Sequence, residues 1–274
     1  MNTLIELFSY DFFRHALLAS LLSSITCGVI GAYIVSRRIV FISGGITHAS
    51  FGGIGIGYFL GINPLLGAAL FAILAACGIR FFADNGKLRE DSSIAVWWSA
   101  GMAVGIIFIY LTPGYVPDLM NYLFGSILAV STTEIKLMFI LAAILLLCFT
   151  FLYRKILYIA FNEEFAKAIG LPVNRINYLL MLLIALTIVL NIRIVGIILI
   201  LSLLTIPQAM ANLLTGDLKR MIALSVLFSL VGSLAGLFIS FYADIPSGAT
   251  IIFTLIAFYL ALKYSVAVGK RRKR

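Results

Sequence analysis

The residue of this chain best suited to chemistry is His48, set in the stretch Phe41-Ile-Ser-Gly-Gly-Ile-Thr-His-Ala-Ser-Phe-Gly-Gly-Ile-Gly-Ile-Gly-Tyr58. Neutral imidazole is a good ligand for zinc, manganese or iron, and it brings no charge into an apolar surrounding. On residue type alone it reads equally well as a buried histidine donating to a backbone carbonyl. Gly44-Gly45 is expected to break a helix just before His48, freeing carbonyl oxygens that a passing cation would use. Gly53, Gly57 and Gly61 recur at a spacing of four, which predicts one flat helix face for close packing. The chain has no Gly-x-x-x-x-Gly-Lys-Ser/Thr, no Gly-x-Ser-x-Gly and no His-Glu-x-x-His. It therefore shows neither the residues of a nucleotide-binding loop nor those of a hydrolase, and it does not read as an enzyme. Cys27, Cys77 and Cys148 stand apart in apolar runs, which supports neither a disulfide framework nor a thiolate metal cluster.

The elements that must position His48 follow from composition. Hydrophobic residues make up 62% of the 274, charged residues 11%, and the mean hydropathy is +1.12, far outside the range of a soluble domain. Runs such as 135–152 and 221–242 carry almost no charge, and about 20 such residues cross about 30 Å of hydrocarbon as a helix. The expected fold is an all-α polytopic membrane bundle forming a single domain over 1–274. Spans are predicted at 13–36, 46–61, 64–83, 93–112, 133–153, 177–192, 194–213, 219–242 and 247–265. That makes nine, or eight if the pair between 177 and 213, split only by Asn191-Ile-Arg193, counts as one. The first is read as a retained span rather than a signal peptide. Met120 to Val130 is too short to cross and is expected to lie along or re-enter the outer surface.

Lys and Arg are retained on the cytoplasmic side of a membrane. All but Arg14, Lys136 and Arg193 of the 20 such residues fall in loops that alternate consistently to one side. The N-terminus is thereby predicted outside and the C-terminus in the cytoplasm. The formal charge of +9 is then a topology signal. The basic tail 266–274, ending Lys-Arg-Arg-Lys-Arg, reads as an anchor near anionic membrane lipid rather than a nucleic-acid contact. Glu6, Asp11, Asp118, Glu134 and Asp244 would give a slightly acidic outer surface.

A second segment, Asn162-Glu-Glu-Phe-Ala-Lys-Ala-Ile-Gly-Leu-Pro172, reads as a short, well-capped cytoplasmic helix. Asn162 suits the N-cap, Glu163 and Glu164 the positive end of the dipole, Gly170 the left-handed C-terminal position, and Pro172 prevents continuation. Phe165, Ala166 and Ile169 are expected to form an apolar face opposite Glu164 and Lys167. So short a helix needs a partner, either its own bundle or a separate protein.

Together these segments resemble the zinc/manganese/iron family of ABC-transporter membrane permeases. The resemblance runs through Arg37-Arg38 with Ile42 to Gly53, Tyr122-Leu-Phe-Gly-Ser-Ile-Leu-Ala-Val130, Asn162 to Pro172, and Val195-Gly-Ile-Ile-Leu199 through Thr205-Ile-Pro207. It implies the ABC-importer permease fold in a bacterial plasma membrane and an ATP-driven importer of divalent metal ions working by alternating access at a permease dimer interface. The implied partners are cytoplasmic ATP-binding subunits, an external metal-binding receptor, and a second permease copy or paralogue. The ion is cargo, and no permanently bound cofactor is expected. His48 would be a transient ligand, with Thr47, Ser50, Asn121 and Gln208 as further pathway candidates. The coupling helix at 162–172 would present Glu163, Glu164, Phe165, Ala166, Ile169 and Gly170 to the ATPase. Many members of that family carry an aspartate four residues before the histidine, where this chain has Gly44. A nitrogen-biased site leans towards zinc, with manganese and iron as alternatives. The competing readings are a permease for a metal chelate such as a siderophore or cobalamin, and an ion-coupled secondary carrier. The carrier would normally need an intramembrane carboxylate for coupling, and the spans show none.

Overall fold

The computed structural model describes residues 10–84, 89–114, 122, 125 and 127–271, the side chains of 128, 270 and 271 excepted. The described residues form helices and no strand, as the hydrocarbon solvent requires of a chain without barrel alternation. Their order is α1 (Asp11–Ser36), α2 (Val40–Phe59), α3 (Pro64–Asp84), α4 (Glu90–Leu111), a 3-10 turn (Ile127–Ala129), α5 (Thr132–Phe151), α6 (Tyr153–Phe161), α7 (Glu163–Ala168), α8 (Val173–Leu203), α9 (Ile206–Leu214), α10 (Leu218–Ala243) and α11 (Ser247–Arg271).

Among the described residues, eight helical stretches are long and apolar enough to cross a bilayer. One of them, Val173–Leu214, has 42 residues. At 1.5 Å per residue it measures about 63 Å, twice a hydrocarbon core. Side-chain partners show how that length is used. Asn177 lies beside Arg37 at one end of the bundle, and Arg193 pairs with Glu134 at the other end, 2.7 Å from Nε to Oε1. Gln208 is back at the level of Cys27 in the middle of α1, and Met221 reaches Ser36 at the first end again. The stretch therefore goes out and returns, and the eight stretches make nine passages. The helical dihedrals break at Gly196, with φ 83° and ψ 165°, a conformation that only glycine adopts without strain. The turn falls three residues beyond the Asn191-Ile-Arg193 break read from the sequence.

Helix α2 is the centre of the half that holds His48. Gly53 abuts the Gly67 backbone of α3, and a Cβ on Gly57 would come within 2.8 Å of Pro64 Cα. On its other side Gly52 faces the Gly101 carbonyl of α4, where a Cβ would come within 2.9 Å. Backbone contact on both flanks makes α2 a tightly held rod. Gly61 does not belong to this stripe: no atom lies within 4 Å of its Cβ position, and its φ is +67°. It instead caps α2, with Ile62 N–H donating to Gly57 O at 3.0 Å and Gly61 N–H to Tyr58 O at 3.2 Å. This is the paired pattern of a left-handed C-terminal cap.

Candidate metal path and coupling end

His48 lies near the middle of α2, half-buried, with its ring stacked on the Trp98 indole of α4, 4.1 Å between centroids and 9° between planes. The predicted helix break before it does not occur, since α2 is continuous from Val40 to Phe59. The reason is tertiary: Gly44 and Gly45 make room for α4. A Cβ at Gly44 would sit 3.3 Å from Trp98 Cζ3, and one at Gly45 would be 2.6 Å from Ile94 Cγ2. Close packing outweighs the poor helix propensity of the glycines, and no carbonyls are freed there for a cation.

A groove of about 350 Å³ opens beside this stack, lined by Phe41, Asp91, Ile94, Ala95 and Trp98. Asp91, Ile94, Ala95 and Trp98 are spaced as one face of α4, so the face that covers His48 carries a carboxylate two turns away, at the helix start. No signal in the sequence singles out Asp91, because a first-turn acid is ordinary at any helix N-terminus. Among the described residues no group of three or more His, Cys, Asp or Glu side chains is placed to hold an ion together.

The remaining pathway candidates have other engagements. Thr47 and Ser50 are buried, and their hydroxyls bond within their own helix, to Ser43 O and Thr47 O. Gln208 is buried where α9 meets α1, donating from Nε2 to Cys27 O at 2.9 Å and Leu203 O at 3.0 Å. Its Oε1 has no partner among the described residues. Asn121 lies outside the described residues. The second histidine, His15, is near the start of α1 with Nδ1 3.1 Å from the Val130 carbonyl oxygen. A contact across 115 residues leaves no local sequence signal.

The short helix α7 has the predicted ends. Asn162 Oδ1 accepts from Phe165 N–H at 2.9 Å. Gly170, with φ +78°, closes the other end, its N–H donating to Lys167 O at 3.0 Å while Leu171 N–H donates to Ala166 O at 3.1 Å. Its faces are arranged differently from the expectation. Ala166 is fully buried against the bundle, whereas Phe165 and Ile169 are 49% and 48% exposed. With Tyr158, whose ring meets Phe165 edge-on, and Phe161 they form an exposed apolar patch.

Glu163 turns inward. Its Oε2 is 2.9 Å from Arg37 Nη2, and its Oε1 is 2.9 Å from Arg80 Nη2 and 3.2 Å from Lys167 Nζ. Arg37 also donates to the Ile159 carbonyl at 3.2 Å, and Arg80 pairs with Asp84 at 2.8 Å. Burial alone would raise the Glu163 carboxyl, but Arg80, Arg37 and Lys167 together hold it down at about 2.

The described residues thus form an all-helical bundle with eight stretches long and apolar enough to cross a membrane, His48 half-buried near the middle of one and a short capped helix at one end. The chain belongs to the ABC 3 transport family, whose model matches residues 9–265. It is 40% identical over 265 residues to the uncharacterized membrane protein slr2045 of Synechocystis sp., covering 96% of this chain and 94% of that one. It is 35% identical over 277 residues to the manganese transport system membrane protein MntC of Halalkalibacterium halodurans, covering 98% and 95%. The structure of PsaBC from Streptococcus pneumoniae in complex with Fab superposes with a TM-score of 0.83 at 33% identity, covering 94% of this chain and 95% of that one.

Proposed function

We propose that this chain is the membrane-spanning subunit of an ATP-driven importer of divalent first-row transition-metal ions. The observation that carries the reading is His48, a half-buried imidazole at the middle of a rigid helix, beside an open groove and, among the described residues, without a complete ligand set. An ion in transit must be held well enough to enter and loosely enough to leave, and a full four-ligand cage would retain it. Hydrolysis of ATP belongs to separate cytoplasmic subunits, which dock on the exposed Phe165 and Ile169 patch. A second permease copy, facing this one across a two-fold axis, would bring a second His48 to the path, and an external receptor would deliver the ion. The N-terminus lies outside and the C-terminus in the cytoplasm of a bacterial plasma membrane, in accord with the nine passages and the distribution of basic residues.

The imidazole favours zinc, while the relative from Halalkalibacterium halodurans is named for manganese. The test is uptake of radioactive zinc and manganese, each in competition with the other, by cells lacking this protein and supplied with wild type or His48→Ala. Wild type restores uptake of the transported ion, and His48→Ala lowers it at least about ten-fold at limiting metal, the loss of roughly one good ligand. Equal uptake by both removes His48 from the path, and no metal phenotype overturns the reading.

A further inference from the structure

We propose that the Glu163 carboxylate is the mechanical joint through which movement of α7 reaches the metal path, by its simultaneous grip on Arg37 and Arg80. This deepens the reading of the chain as an ABC permease and rests on it.

The two guanidiniums belong to the elements that precede and follow α2 in the chain, the end of α1 and helix α3. Arg37 is the residue that ends α1, and only Arg37 to Ile39 separate α1 from α2. That link is tight, with Arg38 at φ 60°, its N–H donating to Val35 O at 3.1 Å and the Ile39 N–H to Ile34 O at 3.1 Å. A displacement of Arg37 is therefore passed to the start of α2, and from Ile39 to His48 the continuous helix measures about 13 Å. Arg80 lies one turn from the end of α3, the helix whose Gly67 backbone presses on Gly53 of α2. One carboxylate thus holds both the residue that leads into α2 and one of the two helices packed on its flanks. Side-chain exposures of 15% for Arg37, 8% for Arg80 and 21% for Glu163 keep these contacts shielded from salt and water.

The rest of α7 lacks such a grip. Phe165 and Ile169 point outward and Ala166 offers only a methyl group, so packing there resists compression but not pulling or rotation. Charge-assisted bonds from two oxygens to two fixed guanidiniums resist displacement in any direction. Outward residues of α7 then bind the ATPase, and the inward one passes on its motion. Glu163 is a positioning residue, acting on the ion through α2.

The experiment uses the permease co-expressed with its ATPase, purified as a complex and placed in liposomes with the ion identified by the uptake assay. The readout is ATP hydrolysed per ion transported. Glu163→Gln is expected to retain the ATPase at wild-type stoichiometry and to raise ATP spent per ion at least ten-fold. Glu163→Asp, which keeps the charge but is too short to reach both arginines, is expected to fall between. Phe165→Ala should instead lose the ATPase from the complex. Because Glu163→Gln leaves two arginines without their shared carboxylate and threatens folding, the pair Arg80→Met with Glu163→Met supplies a second uncoupled variant. Wild-type coupling ratios in whichever of these variants assembles would overturn the joint. Failure of the wild type itself to retain an ATPase would overturn the permease reading instead.

Discussion

His48 and Glu163 occupy two levels of one bundle in opposite company. Around His48 stand an indole, the neighbouring glycines of its helix and an open groove, and among the described residues no ion pair touches it. Around Glu163 stand three cations and a second carboxylate, Asp84, on one of them. On the proposed function, a middle weak in ligands suits a cargo that must depart, and a strongly tied end suits a part that must transmit force. The contrast means something only if α2 connects the two levels without bending, and the glycine seams provide that stiffness.

The largest effect is expected from breaking the seam. Any side chain at Gly53 runs into the Gly67 carbonyl, a backbone atom that cannot rotate away. Gly53→Ala should cost about 3 kcal/mol, the upper part of the usual overpacking range, and Gly53→Leu should prevent accumulation of the folded protein. Gly61→Ala meets no neighbour and pays only for its left-handed backbone, about 1 kcal/mol. Thermal unfolding of the two alanine variants in detergent checks the order. Equal losses would mean that α2 is not held by the α3 contact.

Next comes the groove. If the ion passes along the α4 face from Trp98 to Asp91, then Asp91→Asn should lower uptake about five-fold at limiting metal, less than the loss of His48, because an exposed carboxylate attracts a cation more weakly than a ligand holds it. The effect should shrink as salt is raised. A salt-independent loss would assign Asp91 to the start of α4 rather than to the path.

The same contrast explains how much could be read in advance. Asn162, Gly170 and Pro172 marked the ends of α7 because caps are local chemistry, settled by residues within four positions. The passages and the turn between 177 and 213 were legible because length and hydropathy are set by the bilayer. Gly44-Gly45 misled because the element that keeps α2 helical there is α4, some 50 residues away, filling the space with Trp98 and Ile94. The spacing of Gly61 with Gly53 and Gly57 suggested packing, yet it falls just past the helix end, where the backbone angle decides. The inward turn of Glu163 could not be read from a six-residue helix, and its partner Arg80 looked like one more topology charge.

At the tied end, acid should act late. Glu163 is held below its ordinary value of 4.5, at about 2, so its ion pairs contribute fully above about pH 4.5 and are lost as the pH falls towards 2. Hydrogen exchange of residues 163–169, corrected for intrinsic rates, should show constant protection from pH 7 to 5 and rising exchange only below about 4.5. Loosening between pH 7 and 5 would show that another group holds α7 in place.

The smallest effect should come from the third cation. Lys167 lies 3.2 Å from Glu163 Oε1, but its side chain is 56% exposed, so water and salt screen the pair and a flexible side chain must be ordered to form it. Exposed pairs at this spacing are worth about 0.3–0.5 kcal/mol, and Lys167→Ala should shift thermal unfolding by no more than that energy implies, about 1–2 °C for a chain of this size. Arg37 and Arg80 already satisfy both oxygens of the carboxylate, so Lys167 adds charge without adding a new direction of restraint. A loss near that of Glu163→Gln would mean that the three cations act as one unit, and the division between a gripping pair and a solvated bystander would have to be abandoned.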